Sequence, residues 1–340
     1  MNGFERINAA LKGKKPDKIP VMLHNFLMAA REHGVTMEQY RNSPKVIAET
    51  FISAVEKYQY DGILVDIDTV TLAGAVGVKV DFPVNDAARS HDGNIAELDD
   101  VFKLKPVIVG DYKYIQIWLE AVRLLKEYFK DEIYIRGNCD QAPFSLASMM
   151  RGAQPWMLDL MMGTEEQITF LLEYCTDATS QFIKLMAQTE CDMVSNGDSP
   201  AGPEMISEDM FAKYAMPYEK RIVDIAHSVG KAYAIHICGD TEVILGHMKN
   251  IGADAYELDY KTDIKNIYSM FNDSATLIGN IDPSGVLALG SVDEVKKKTL
   301  ELLDVYRNSN RFILNAGCAL PPTTPSANLR AMIETARNFR

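Results

Sequence analysis

The sequence has no apolar run near the roughly 18–20 residues that span a bilayer, so no membrane role is expected. No apolar core follows the charges of Met1-Asn2-Gly3-Phe4-Glu5-Arg6, so no secretory signal is read there and a cytoplasmic location is expected. Cysteine is scarce. The five residues, Cys139, Cys175, Cys191, Cys238 and Cys318, are odd in number and widely spaced, which argues against a disulfide framework and leaves buried thiols, metal ligands or a nucleophile. Positive charge is also in deficit: 35 Lys and Arg face 47 Asp and Glu, a net charge of −12. That balance argues against nucleic acid or an anionic membrane surface as the main partner. No G-x-G-x-x-G follows the first apolar run, so dinucleotide binding has no support there. No G-x-S-x-G occurs, so neither Ser145 nor Cys139 reads as the nucleophile of a hydrolase triad. Low-complexity tracts and linkers rich in Gly, Pro or Ser are missing too.

What is present has an average globular composition, 47% hydrophobic and 24% charged, which excludes wholesale disorder. Short apolar runs bounded by Gly, Asp or Asn predict strands at 20–24, 62–66, 133–137, 192–196, 232–236, 255–258, 276–280 and 311–314. Helical periodicity falls between them, at 44–58, 114–129, 165–188, 207–229, 241–249, 263–271, 292–308 and 326–338. Ser43-Pro44, Ser207 and Thr324-Pro325-Ser326 supply helix-start signals. Eight strands alternating with helices predict a (β/α)8 TIM barrel, with residues 1–340 as a single barrel domain and a short N-terminal helical extension. A doubly wound sheet is the competing layout. The polar residues favour the barrel, because they cluster just after strand ends, which a barrel gathers on one rim.

Ile235-His236-Ile237-Cys238-Gly239-Asp240 places an imidazole and a thiol two residues apart beyond a strand end. The same spacing fits a buried thiol beside a hydrogen-bonded histidine. Cys318 follows the last strand within Ala316-Gly317-Cys318-Ala319-Leu320-Pro321-Pro322, and a small hydrophobe in a tight loop is its plainer reading. In a closed barrel the ends of strands five and eight face one cavity. His236, Cys238 and Cys318 then form an N/S2 set, which suits zinc with a fourth position open to exchange. Glu257, at the end of the next strand, is either a labile fourth ligand or a hydrogen-bonded rim carboxylate. Asp66 and Asp68 end strand two, where alternation points them the same way. They orient substrate or pair with a base, or Asp68 caps a helix. Asp198, after strand four, is a catalytic candidate or part of a turn, and His24 with Asn25 lies on the rim. His33, His91, His227 and His247 read as surface residues.

Taken together these residues resemble the uroporphyrinogen decarboxylase superfamily, and within it the zinc methyltransferases related to methylcobalamin:coenzyme M methyltransferase. The likeness runs through Lys15-Pro16-Asp17-Lys18-Ile19-Pro20-Val21, Val65-Asp66, Gln141-Ala142-Pro143-Phe144-Ser145-Leu146, Asp198-Ser199-Pro200-Ala201-Gly202 and Gly317-Cys318-Ala319-Leu320-Pro321-Pro322-Thr323-Thr324-Pro325. The resemblance implies a (β/α)8 barrel. It departs from the decarboxylases in three places. The stretch His24–Arg31 lacks their arginine-rich motif, Cys318 stands where they have His, and they have no His-x-Cys where this chain has His236 and Cys238. Asp66 does match the decarboxylase aspartate, so a tetrapyrrole decarboxylase using Asp66 stays as an alternative. The methyltransferase likeness implies zinc held by His236, Cys238 and Cys318, and methyl transfer between a corrinoid (methylcobalamin or a corrinoid protein) and a thiol such as coenzyme M. A variant runs from a methoxylated aromatic or methylamine-type donor to the corrinoid protein. The loops at 72–80 and 143–156 are the expected walls of the opening that admits the corrinoid.

Overall fold

A computed structural model describes residues 1–339. Eight parallel strands form one sheet: β1 (Met22–Leu23), β2 (Gly62–Val65), β3 (Tyr134–Gln141), β4 (Met193–Gly197), β5 (Ala232–Ile237), β6 (Ala255–Leu258), β7 (Thr276–Ile281) and β8 (Phe312–Ala316). Each pairs with its sequence neighbour in this series. A parallel bridge between Val21 and Leu314, with Leu314 N–H donating to the Pro20 carbonyl (2.9 Å), joins β8 back to β1. The molecule is a (β/α)8 barrel, and each of the eight expected strands overlaps an observed one.

Most residues in the first halves of the strands are apolar on both faces because both faces are covered. Inward-facing Met22, Tyr134, Met193, Ala234, Ala255, Ile278 and Ile313 cluster with Ile7 and Ala10 of the helix Gly3–Leu11. That helix therefore plugs the N-terminal end of the barrel. It is held by a reciprocal cap in which Asn2 accepts from Glu5 N–H and the Glu5 side chain accepts from Asn2 N–H. The outward faces pack on the helices Pro44–Tyr58, Lys113–Phe129, Glu165–Ala187, Met216–Ser228, Val292–Val305 and Ser326–Asn338, with Phe51, Trp118, Phe182 and Leu303 fully buried between layers.

Periodicity located the long helices and missed short ones: Phe26–His33, Met37–Arg41, Thr71–Ala75, Pro143–Arg151 and Ala153–Met162. Most of these are a few turns at most, too short for a clear 3.6-residue signal. The expected helix at 207–229 is broken into Glu208–Met210, a π-helical turn Phe211–Ala215 and Met216–Ser228. Pro217 lies in the first turn of that last piece and cannot donate into a continuous ladder. Ser43 and Ser207 cap their helices through their hydroxyls, whereas Thr324 Oγ1 instead donates to the Pro321 carbonyl. No helix among the described residues is long and apolar enough to cross a membrane.

Candidate metal centre at the barrel mouth

Register brings the key strand ends level. His236 on β5 pairs with Glu257 on β6, and Asn280 on β7 with Asn315 on β8. Beyond β5 the chain turns at Gly239 (φ +87°), whose N–H donates to Asp259 Oδ2 (2.9 Å), while Cys238 N–H donates to Ser199 Oγ (3.2 Å). Beyond β8, Gly317 passes so close to the loop after β6 that a Cβ there would lie 2.9 Å from the Tyr260 nitrogen. Only glycine allows this approach, which seats Cys318 over the cavity. Leu320 N–H then ties the loop to the His24 carbonyl (2.8 Å).

The result is one compact group. Donor atoms of His236, Cys238 and Cys318 all lie within 4.8 Å of one another. His236 Nε2 is 2.9 Å from Cys238 Sγ, and the two sulfurs are 3.6 Å apart. The other ring nitrogen, His236 Nδ1, is 3.0 Å from the Glu257 carbonyl oxygen, which fixes Nδ1 as the donor when the ring is neutral and leaves Nε2 as the free lone pair. The hydrogen bond from Cys318 holds the Cys238 thiol well below its usual pKa, helped by the His236 charge against the opposing effect of burial. The same bond, together with burial, keeps the proton on Cys318. A pair poised to lose protons at one sulfur, beside an imidazole, is a donor set that fits a thiophilic divalent metal.

Glu257 lies outside this group. It is fully buried, and its Oε2 accepts a hydrogen bond from Arg136 Nη1 across the barrel. Its Oε1 has no hydrogen-bond partner and sits 3.6 Å from His24 Nδ1 and 3.9 Å from His236 Nδ1. Burial alone raises a carboxyl pKa, but the Arg136 charge and the neighbouring histidines outweigh it and hold Glu257 ionised. Asp66 bonds His24 Nε2 through Oδ2 (2.7 Å), and its Oδ1 accepts from Asn138 Nδ2 (3.1 Å). Burial pulls the His24 pKa down, and the hydrogen bond to Asp66 together with the nearby Glu257 carboxylate more than reverses this, to about 9.

Other expected site residues go elsewhere. Strand β2 ends at Val65, so alternation does not extend to Asp66 and Asp68. Asp68 Oδ1 accepts instead from Val70 N–H, Thr71 N–H and Thr71 Oγ1 (each 2.9 Å), in the turn that starts the helix Thr71–Ala75. Asp198 is fully buried, and its Oδ1 accepts from Ser145 N–H (2.8 Å) and Ser145 Oγ (2.5 Å). Its link to the donor group is through the backbone, Asp198 N–H donating to the His236 carbonyl (2.8 Å). His91, His227 and His247 pair with Asp81, Asp254 and Glu208. Arg136 was not singled out from the sequence. The one available signal was a charge within the apolar run Tyr134-Ile135-Arg136-Gly137, at an inward position of a barrel strand.

With this geometry in place, comparison with known proteins gives the family. The model of the family described as uroporphyrinogen decarboxylase (URO-D) matches residues 2–339. A protein named methylcobamide:CoM methyltransferase MtbA from Methanosarcina mazei is 34% identical over 247 residues, 73% of this chain and 70% of that one. Its namesake from Methanosarcina acetivorans is 32% identical over 72% of this chain and 70% of its own length. A uroporphyrinogen decarboxylase from Streptomyces avermitilis is 25% identical, covering 88% of this chain and 83% of its own. A solved methyltransferase structure from Methanosarcina mazei shares the fold at a TM-score of 0.90 with 22% identity, over 100% of this chain and 99% of that one. The chain belongs to the uroporphyrinogen decarboxylase family, and it is an enzyme of its methyltransferase branch.

Proposed function

We propose that the enzyme moves a methyl group between a corrinoid, carried by a partner protein, and a small thiol such as coenzyme M. It would act in the cytoplasm, at a zinc site held by His236, Cys238 and Cys318. The observation that carries this reading is the convergence of those three donor atoms within 4.8 Å at the barrel mouth. One imidazole nitrogen with two sulfurs leaves a fourth place for exchange. When bound, zinc supplies the charge that keeps a substrate sulfur deprotonated at neutral pH.

The protein's own groups do the rest. Two cysteine thiolates and a neutral His236 offset a dication, so an incoming thiolate keeps its electron density. Its sulfur uses one electron pair to form the new S–C bond to the methyl group. The C–Co bond breaks, its pair stays on cobalt, and the corrinoid leaves as cobalt(I). Asp66 positions His24 at the rim beside the cavity, and Asp198 supports His236 through the backbone. In the reverse sense the donor is a methylated small molecule. The names of the relatives favour the thiol as acceptor.

An assay with methylcobalamin and a panel of thiols tests the proposal. Chelation, Cys238→Ser and Cys318→Ser are each expected to lower the rate by more than about 100-fold. Full activity in metal-free protein, or decarboxylation of a porphyrinogen that depends on Asp66 and survives chelation, would overturn it in favour of the decarboxylase reading.

A further inference from the structure

Resting on the proposed metal centre, we infer that Arg136 is a positioning residue that reserves the fourth metal place for the substrate sulfur, by holding the Glu257 carboxylate back from His236, Cys238 and Cys318. Glu257 is a carboxylate placed to compete for that position. It adjoins His236 in register, its carbonyl accepts from the His236 ring, and its Oε1 is buried without a hydrogen-bond partner. A buried, ionised carboxylate beside a cation site, with one oxygen facing only the His24 and His236 rings at 3.6 and 3.9 Å, is a strong ligand unless its other oxygen is claimed elsewhere. Arg136 makes that claim. Its guanidinium, 1% exposed, reaches from β3 across the interior to Oε2, and Glu257 remains outside the three-residue donor group. The floor beneath Arg136 is the apolar plug of Tyr134, Met193 and Ile7.

The pairing is distinguishable from a purely structural ion pair by the sign of two effects. If Arg136 only maintains the fold, its loss weakens metal and thiol binding together. If it restrains Glu257, its loss frees a fourth protein ligand, so zinc binds more tightly while the thiol, which now has to displace a carboxylate, binds more weakly.

The test uses purified full-length protein, with zinc affinity read by competition against a chromophoric chelator and the ligand set read from the visible spectrum of the cobalt(II)-substituted form. For Arg136→Met, zinc affinity is expected to rise about tenfold, coenzyme M affinity to fall about tenfold, and the cobalt bands to shift before thiol is added. Adding Glu257→Gln to that variant should return both affinities to within about threefold of wild type. Unchanged cobalt bands in Arg136→Met, or a parallel loss of both affinities that Glu257→Gln does not reverse, overturns the inference. Should Arg136→Met fail to fold, Glu257→Gln alone decides: a wild-type cobalt spectrum supports the inference, and a shifted spectrum with at least tenfold weaker zinc binding shows that Glu257 was already a ligand and overturns it. Wild-type protein that takes up no zinc overturns the metal centre and this inference together. Wild-type protein that binds zinc while the variants show no opposite-signed change sinks the Arg136 role alone.

Discussion

Glu219 lies fully buried in the helix Met216–Ser228, facing Asp198. Burial, then the Asp198 charge, pushes its pKa well above the usual carboxyl range. A carboxyl whose folded pKa is raised gives its full stability contribution below the unfolded value and loses it as pH rises toward the folded one. Glu219→Gln keeps the shape and removes the titration. Its melting temperature is therefore expected to match wild type near pH 4.5 and to exceed it increasingly toward pH 8. Thermal unfolding across that range checks this, and a gap that narrows with rising pH would contradict it. Glu219 and Arg136 were both silent in the sequence for the same reason. A charge inside an apolar pattern announces burial, but its partner is remote, 121 residues away for Arg136, and nothing local names it. His236, Cys238 and Cys318 were legible because scarce residue types stand directly after strands, where a barrel collects them.

Strands were easier to read than what joins them. Each is a short apolar run with a polar stop, a pattern that needs no tertiary information. The helix Pro143–Arg151 was missed, and its start shows why. Its N-terminus has no local side-chain cap, and the carboxylate that accepts from Ser145 N–H is Asp198, supplied from the end of β4. A cap delivered from another element leaves no signature in the helix's own sequence. Asp198→Ala should cost about 2 kcal/mol, from the lost cap and an unpartnered buried N–H. Chemical denaturation measures this directly. A variant as stable as wild type would show that the contact contributes nothing.

At the scale of the whole molecule, the barrel does what no segment does alone. Cys238 and Cys318 are 80 residues apart in sequence and 3.6 Å apart at their sulfurs, because β5 and β8 end on one rim above a plugged, apolar floor. Strand counting alone anticipates such a meeting. It does not anticipate the polar layer between floor and rim, where Arg136, Glu257, His24 and Asp66 hold one another in place. X-ray absorption at the zinc edge of the purified protein reads the central claim most directly. The account predicts one zinc per chain with two sulfur neighbours at about 2.3 Å and one imidazole nitrogen at about 2.0 Å, each sulfur lost in turn with Cys238→Ser and Cys318→Ser. Zinc in an all-oxygen and nitrogen shell, or no zinc at all, would contradict it.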